Sequence, residues 1–195
     1  PVNLHPLHHI PLQSIKKPNR VVILGGSGFL ANALSQALSN ENINVLPLSS
    51  KDINLLDANS VSQLPALIKD GDFLVLASAI TPDKGKDGHA FFKNIQMAYN
   101  VYSQLQKLPV GHFTYISSDA VYDDTESLIR ESSACTQTNL YGLAHLTREA
   151  LLAEVCNNRK IPYLILRPTA VYGAGDTHNS YGPNRFFRSA KTEKK

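Results

Sequence analysis

The chain has 195 residues, 43% hydrophobic and 18% charged, enough for one sizeable core, so a single folded domain is expected. Nineteen basic residues oppose sixteen acidic ones, but Lys16, Lys17, Lys191, Lys194 and Lys195 lie near the ends, and between residues 18 and 190 fourteen bases face fifteen acids, a net of −1. That balance argues against a nucleic-acid partner, whose phosphates call for excess positive charge on a folded face, and the longest clean apolar run, Phe73 to Ala77, falls far short of the ~20 residues of a membrane span.

Residues 1–19 carry prolines at 1, 6, 11 and 18, which remove backbone donors and bias the preceding residues away from helix, so this segment reads as an extended arm. His5, His8 and His9 lack a cysteine or carboxylate at ligand spacing, and no metal site is expected. No apolar run of signal-peptide length is present, and Cys135 and Cys156 are too few for a disulfide scaffold, so the expected location is cytoplasmic.

From Arg20 a regular pattern begins. Arg20 to Leu24 is a short β-branched strand running into glycines. Leu30, Ala33, Leu34, Ala37 and Leu38 then recur at helical spacing and predict a helix packed back on the sheet. Val45 to Leu48 reads as a strand weakened by Pro47, and Ser60 with Gln63 has capping-box spacing for a helix reaching Lys69, shortened by Pro65. Asp72 opens the apolar strand FLVLASA, followed by a helix over His89–Leu105 with Phe91, Ile95, Ala98, Val101, Tyr102 and Leu105 on one stripe. His112–Ser117 is the next strand, and Asn139–Cys156 the next helix with Leu140, Leu143, Ala144, Leu151 and Val155 inward. Tyr163–Arg167 completes the strands. Such alternation specifies an α/β fold, a Rossmann-type doubly wound parallel sheet with helices on both faces, here over residues 20–190, with 191–195 as a charged tail.

The first strand leads through Gly25-Gly26-Ser27-Gly28-Phe29-Leu30-Ala31 directly into its helix. Glycine at 25 permits a tight turn, and glycine at 28 lets a pyrophosphate approach the helix N-terminus. This loop resembles the GxxGxxG of the extended short-chain dehydrogenases/reductases, the NAD-dependent epimerase/dehydratase group, with Ala31 replacing the third glycine. The resemblance implies NAD or NADP as cofactor. At the end of the second strand, Ser49, Ser50 and Lys51 suit a 2′-phosphate, with Asp52 one step late, so NADP is favoured. Asn54 and Leu55 fall where the family flanks the adenine, Ala77, Ser78 and Ala79 where small residues pass the cofactor after its fourth strand, Asn94 where a helix asparagine braces the site, and Pro168 in the segment bordering the nicotinamide.

Tyr115-Ile-Ser117-Ser118-Asp119-Ala120-Val121-Tyr122 is similar to the family's strand-end motif, and spacing to Val121 makes Ser118 the match for the residue holding the substrate oxygen, with Asp119 assisting. Tyr141-Gly-Leu-Ala-His145 resembles YxxxK, which implies that Tyr141 is the general acid/base and that position 145 binds the nicotinamide ribose. The lysine is histidine here. With an unperturbed value near ~6.5, His145 is expected to give a weaker, pH-dependent positive field, making Tyr141 a poorer base and favouring carbonyl reduction, or proton shuttling through His145, over alcohol oxidation. On the substrate side the family has a polar loop, here Gly175 to Arg185, from which Asn184 and Arg185 can meet a phosphate or sugar. Thr81, in the loop after the fourth strand, is a candidate to line the same cleft, the alternative being a solvated loop carrying Lys84 and Lys86.

The charged ending reads as a truncation or a natural short form lacking the family's smaller substrate domain. The resemblance implies an NAD(P)-dependent oxidoreductase or epimerase acting on a sugar nucleotide or related carbonyl, and it allows a homodimer through the helices near 89–106 and 140–156. A second reading is a catalytically silent NAD(P)-binding module that senses cofactor or pairs with another subunit. His145 and the ending favour the second; Ser118 and Tyr141 favour the first.

Overall fold

The computed structural model describes residues 17–123, 128–176 and 182–193. The arm as far as Lys16, with its three histidines, lies outside the described residues, as do Thr177–Tyr181 of the expected substrate loop and Lys194 and Lys195 of the expected tail.

Five strands, β1 (Arg20–Leu24), β2 (Asn44–Leu48), β3 (Phe73–Leu76), β4 (His112–Ile116) and β5 (Tyr163–Leu166), form one sheet in the order β2-β1-β3-β4-β5. All pairs are parallel, and Leu24 lies level with Leu48 on one side and Leu76 on the other. The strand order reverses at β1, so a crevice opens beyond the carboxyl ends of β1 and β3, where ligands of open α/β sheets bind. Ile53 and Leu55 are buried without forming a strand, so the strand that the family counts as fourth is the third here.

Side-chain alternation sorts the core into two faces. Val21, Ile23, Phe73 and Val75 meet Ala31, Leu34 and Leu38 of α1 (Phe29–Asn40). Val22, Leu24, Leu74, Leu76, Phe113 and Tyr115 meet Met97, Ala98, Val101 and Leu105 of α4 (Gly88–Leu105) and Leu152, Val155 and Cys156 of α5 (Leu140–Arg159). Ala33 and Ala37, expected inward, face solvent, because the sheet-facing stripe runs through Leu34 and Leu38 with Ala31 at its shoulder. Leu140, also expected inward, is 38% exposed at the first position of α5.

Capping chemistry sets several boundaries. The predicted helix from Ser60 to Lys69 is two single turns, α2 (Ala58–Val61) and α3 (Leu64–Leu67). Asp57, not Ser60, caps α2 by accepting from the Asn59 amide, while the Ser60 hydroxyl accepts from the Asn54 amide. Pro65 lacks the N–H that a continuous helix needs, and it sits in the first turn of α3, where none is required. Asp87 starts α4 by accepting from Ala90, and Asn139 starts α5 by accepting from Gly142. The latter helix continues past Cys156 until Lys160 turns left-handed at φ 55°. The expected loop through Arg185 gives way at Gly182 to α6 (Gly182–Glu193), which runs across the boundary drawn at residue 190; Pro183 in its first turn suits a helix start.

Candidate active site

The turn after β1 is built so that only glycine fits. Gly25 has φ +90°, and a Cβ there would lie 2.9 Å from the Ser78 nitrogen. A Cβ on Gly26 would lie 2.7 Å from the Leu48 nitrogen. The amides of both glycines donate to the Leu48 carbonyl, at 3.0 and 2.8 Å, which staples the loop to the end of β2. Gly28 then caps α1 with no side-chain bond and no acid in the first turn, while Ser27 and Gly28 stand exposed. The first amides of α1 are therefore open to an anion on a backbone that side chains do not crowd. Half-buried Phe29 reaches the segment after β5, where a Cβ on Gly173 would sit 3.4 Å from its ring. These features fit the pyrophosphate of a dinucleotide.

At the end of β2 the Ser49 amide and hydroxyl both donate to Asp52, at 2.8 and 2.7 Å, and these bonds hold the Asp52 carboxyl below the usual range. Ser49 is thus committed locally, Ser50 and Lys51 are exposed, and Asp52 folds into the same corner. The three-residue spacing of a serine and an aspartate was the signal for that turn. Asn54 shapes the next turn, its side chain accepting from the Leu56 amide at 3.1 Å, and Leu55 packs in the core while its carbonyl accepts from buried Asn100 at 2.8 Å.

Beyond β3 the chain leaves the sheet at Ala77, whose amide donates to Leu24. Asn94 braces the segment that follows: it accepts from the Ile80 amide at 2.9 Å and donates to the Ile80 carbonyl at 3.1 Å. Arg148 of α5, fully buried, donates to Asn94 at 3.1 Å and to the Ser78 carbonyl at 2.6 Å. Thr81 opens a tight turn, its carbonyl accepting from Lys84 and Gly85, and half-buried Ala79 lies between. Gly85, Asp87, Ala90, Asn94, Leu140 and Tyr141 then line a cleft between the starts of α4 and α5.

The strand-end serines divide their work. Buried Ser117 donates to Glu149 at 2.5 Å, whereas half-buried Ser118 caps the 3-10 turn Asp119–Val121, accepting from the Ala120 amide at 3.2 Å and donating to Asp119 at 3.3 Å. That turn packs on α5 so closely that a Cβ on Gly142, next to Tyr141, would meet the Ala120 carbonyl. Tyr141 is half-buried, with its ring edge-on to that of His145 at 4.7 Å.

His145 departs from expectation. It is 2% exposed, and burial together with the Arg148 charge pushes its imidazole down to about 3, so it is neutral at physiological pH and supplies no positive field. Its Nδ1 pairs with the Tyr115 hydroxyl at 2.7 Å, and its Nε2 has no partner among the described residues. The fixed charge near this site belongs to Arg148, whose guanidinium lies 4.9 Å from the centre of the Tyr115 ring. Arg148 was missed because an arginine in a mid-helix run reads as surface; its place seven residues after Tyr141, on the same stripe, was the available signal.

Nearby, Glu149 is fully buried and takes two bonds from Arg167, at 3.0 and 2.6 Å, while Arg167 also donates to the Tyr122 hydroxyl at 2.9 Å. This network ties α5 to the ends of β4 and β5. The half-buried Pro168 offers its carbonyl to the Asp119 amide at 3.3 Å. Asn184 is occupied within the fold, donating to the Gly173 carbonyl at 3.1 Å and to Asp176 at 2.8 Å, which pins α6 to the segment after β5. Arg185 is exposed, with its guanidinium 5.9 Å from the Phe186 ring centre.

A parallel sheet that reverses order at β1, with an uncapped glycine loop at that point, defines a Rossmann-type α/β fold. Residues 21–194 match the model of the NAD dependent epimerase/dehydratase family, and the chain belongs to that family. It is 27% identical over 172 residues to methionine adenosyltransferase 2 subunit beta of Pongo abelii, a match covering 83% of this chain and 50% of that protein. The solved structure of dTDP-4-dehydrorhamnose reductase from Bacillus anthracis in complex with NADP aligns with a TM-score of 0.73 at 24% identity, covering 91% of this chain and 62% of that one. A GDP-L-fucose synthetase from Naegleria fowleri bound to NADP aligns with a TM-score of 0.72 at 18% identity, covering 92% and 60%. At these identities the structural likeness is one of fold. The chain spans about half the length of the curated relatives it matches. Among the described residues no helix is long and apolar enough to cross a membrane.

Proposed function

We propose that this chain binds NAD(P)H through the glycine loop and that Tyr141 serves as the general acid in reducing a carbonyl of a sugar nucleotide or related small molecule. The observations that carry this reading are α1 amides left open at the β1–β3 crevice and Tyr141 lining a cleft between the starts of α4 and α5. When bound, the nicotinamide supplies the hydride. Tyr141 gives its hydroxyl proton to the carbonyl oxygen, and Ser118 orients that oxygen by turning its own proton away from Asp119 and donating it to the substrate. A neutral His145 does not supply the charge that the lysine of the motif would, and reduction, in which Tyr141 donates its proton, is the direction assigned to this site. Exposed Ser50 and Lys51 favour NADPH; Asp52 opposes it from the same corner, and the ratio of NADPH to NADH affinity reads the balance.

The same neutral histidine favours a second reading, a silent NAD(P)-binding module that works through a partner, and the curated relative is itself named as a subunit. Titration with NADPH and NADH, followed by cofactor fluorescence in a chain without tryptophan, tests the shared part of both readings. Tyr141→Phe separates them. A reductase loses turnover and keeps cofactor affinity, whereas a module in which wild type and variant are equally inactive yet bind equally is the silent form. A folded chain that binds neither cofactor refutes both.

A further inference from the structure

The positive excess of the chain is concentrated in one place. Residues 1–181 carry fourteen basic and fifteen acidic side chains, a net of −1. Residues 182–195 carry five bases, Arg185, Arg188, Lys191, Lys194 and Lys195, against the single acid Glu193, a net of +4. Residues 182–193 of that stretch are α6, so the charged ending is for the most part a helix.

This helix is mounted with its polar side inward. Asn184 donates to the Gly173 carbonyl at 3.1 Å and to Asp176 at 2.8 Å, and Arg188, one turn on, donates to the Asp176 carbonyl. Both side chains are half-buried. At about 100° per residue, Phe186, Phe187 and Ala190 fall on the other side of the helix. There Phe186 is 67% exposed and Phe187 71%, and Ala190 is exposed as well. A surface helix of a globular protein turns its apolar stripe to the core, and α6 does the reverse. Two adjacent phenylalanines held in water, on a helix whose polar residues are engaged beneath it, cost free energy until something covers them. Exposed Arg185 and Lys191 stand at the two margins of the apolar arc, and the Arg185 guanidinium lies 5.9 Å from the centre of the Phe186 ring.

We propose that α6 is a docking helix for an anionic lipid surface, with Phe186 and Phe187 entering the boundary between headgroups and acyl chains while Arg185 and Lys191 meet the lipid phosphates and carboxylates. Charge and shape select this occupant. A second copy would bring one net-positive face against another, and like charges oppose that pairing. A groove in a partner protein takes a narrow ridge of anchors at i, i+3, i+4 and i+7. Phe186 and Phe187 are adjacent, so their rings spread over about 100° of the helix and make a broad wedge suited to a deformable plane. An aromatic face flanked by basic residues is the composition of an interfacial helix at a negatively charged membrane. No span of the bilayer is involved, and the inference stands independently of the dinucleotide reading. Asn184 ties α6 to Gly173, where a Cβ would sit 3.4 Å from the Phe29 ring, so a docked chain carries the glycine loop close to the lipid.

The test is co-sedimentation of the full chain with two kinds of vesicle, phosphatidylcholine alone and roughly two parts phosphatidylcholine to one of phosphatidylserine. Binding to the mixed vesicles alone is expected at about 0.1 M salt, and its loss at about 1 M. Lys191→Gln should lower the partition coefficient roughly fivefold, the effect of one basic side chain at such a surface. Phe186→Ser combined with Phe187→Ser should lower it more than about tenfold. These side chains are exposed, so urea melts of the variants should match that of the wild type. Four results overturn the proposal. The first is no binding to the mixed vesicles, and the second is equal binding to both kinds, which removes the anionic surface from the account. The third is binding that the double variant leaves unchanged, which means diffuse charge attraction alone. The fourth is a concentration-dependent dimer in analytical ultracentrifugation that the double variant dissolves, which means that a second copy covers the face. Should the double variant fail to fold, Phe187→Trp gives the chain its one tryptophan. Its emission should shift to the blue on adding mixed vesicles, and an unshifted emission overturns the proposal equally.

Discussion

Acid should weaken this fold through His145 by an amount the structure sets. In the folded chain its imidazole is pushed down to about 3, whereas in the unfolded chain it is near ~6.5. The unfolded state therefore binds a proton that the folded state refuses, so the cost is absent above about pH 7 and grows as pH falls from ~6.5 toward ~3. Integrating between these values gives a loss of about 2 kcal/mol at pH 5 relative to pH 7.5. With a urea slope of about 2 kcal/mol per molar, that is a midpoint lower by about 1 M. His145→Gln, close in size and able to pair with Tyr115, removes the titration while leaving the other shifted groups in place. Urea melts of wild type and variant at pH 7.5 and pH 5 isolate the term: the wild type should lose about 2 kcal/mol more than the variant over this interval. Parallel losses would mean that the imidazole takes up its proton alike in the folded and unfolded chains, and would refute the account of a neutral His145.

Two further outcomes follow from close packing and from buried charge. Gly26→Ala forces a Cβ to within 2.7 Å of the Leu48 nitrogen and of Pro47, so it should cost about 1–3 kcal/mol in a urea melt and abolish NADPH binding by displacing the turn. Glu149→Ala leaves the Arg167 guanidinium without its two carboxylate bonds and Ser117 without its acceptor, for an expected loss of about 3–5 kcal/mol; a loss under about 1 kcal/mol would show that the pair contributes little.

Much of the fold was legible because strand and helix periods are properties of residue spacing. The five strands, the long helices α4 and α5 and the glycine turn all lie where apolar alternation and helical stripes placed them. The misses have local causes. Asp57 outcompeted Ser60 as a cap because capping is decided by which side chain reaches the free amides, and several polar residues in that stretch satisfy the pattern. The start of α6 was hidden in a Gly- and Pro-punctuated stretch whose composition reads as loop, although proline is compatible with a first helical turn. At the site, motif spacing located Tyr141 and position 145, but protonation depends on what surrounds a ring in three dimensions. Histidine by itself suggested a group titrating near neutrality. Only its neighbours, Tyr115 from a distant strand and Arg148 one turn further along α5, reveal a buried neutral ring.

The two faces of the sheet are not equally dressed. On the α1 side, Leu164 and Leu166 of β5, in register with Thr114 and Ile116, keep 37% and 42% of their surface in water, while β1 has a strand on each side and side chains sealed on both faces. Breathing of this molecule should accordingly be lopsided. Amide protons of β5 should trade with heavy water through small openings of the sheet margin, while those of Val22 and Ile23 wait for the whole chain to come apart. The glycine turn is anchored to the slow end of that gradient, so the loop proposed to hold the cofactor stays organised while the far edge of the sheet opens and closes.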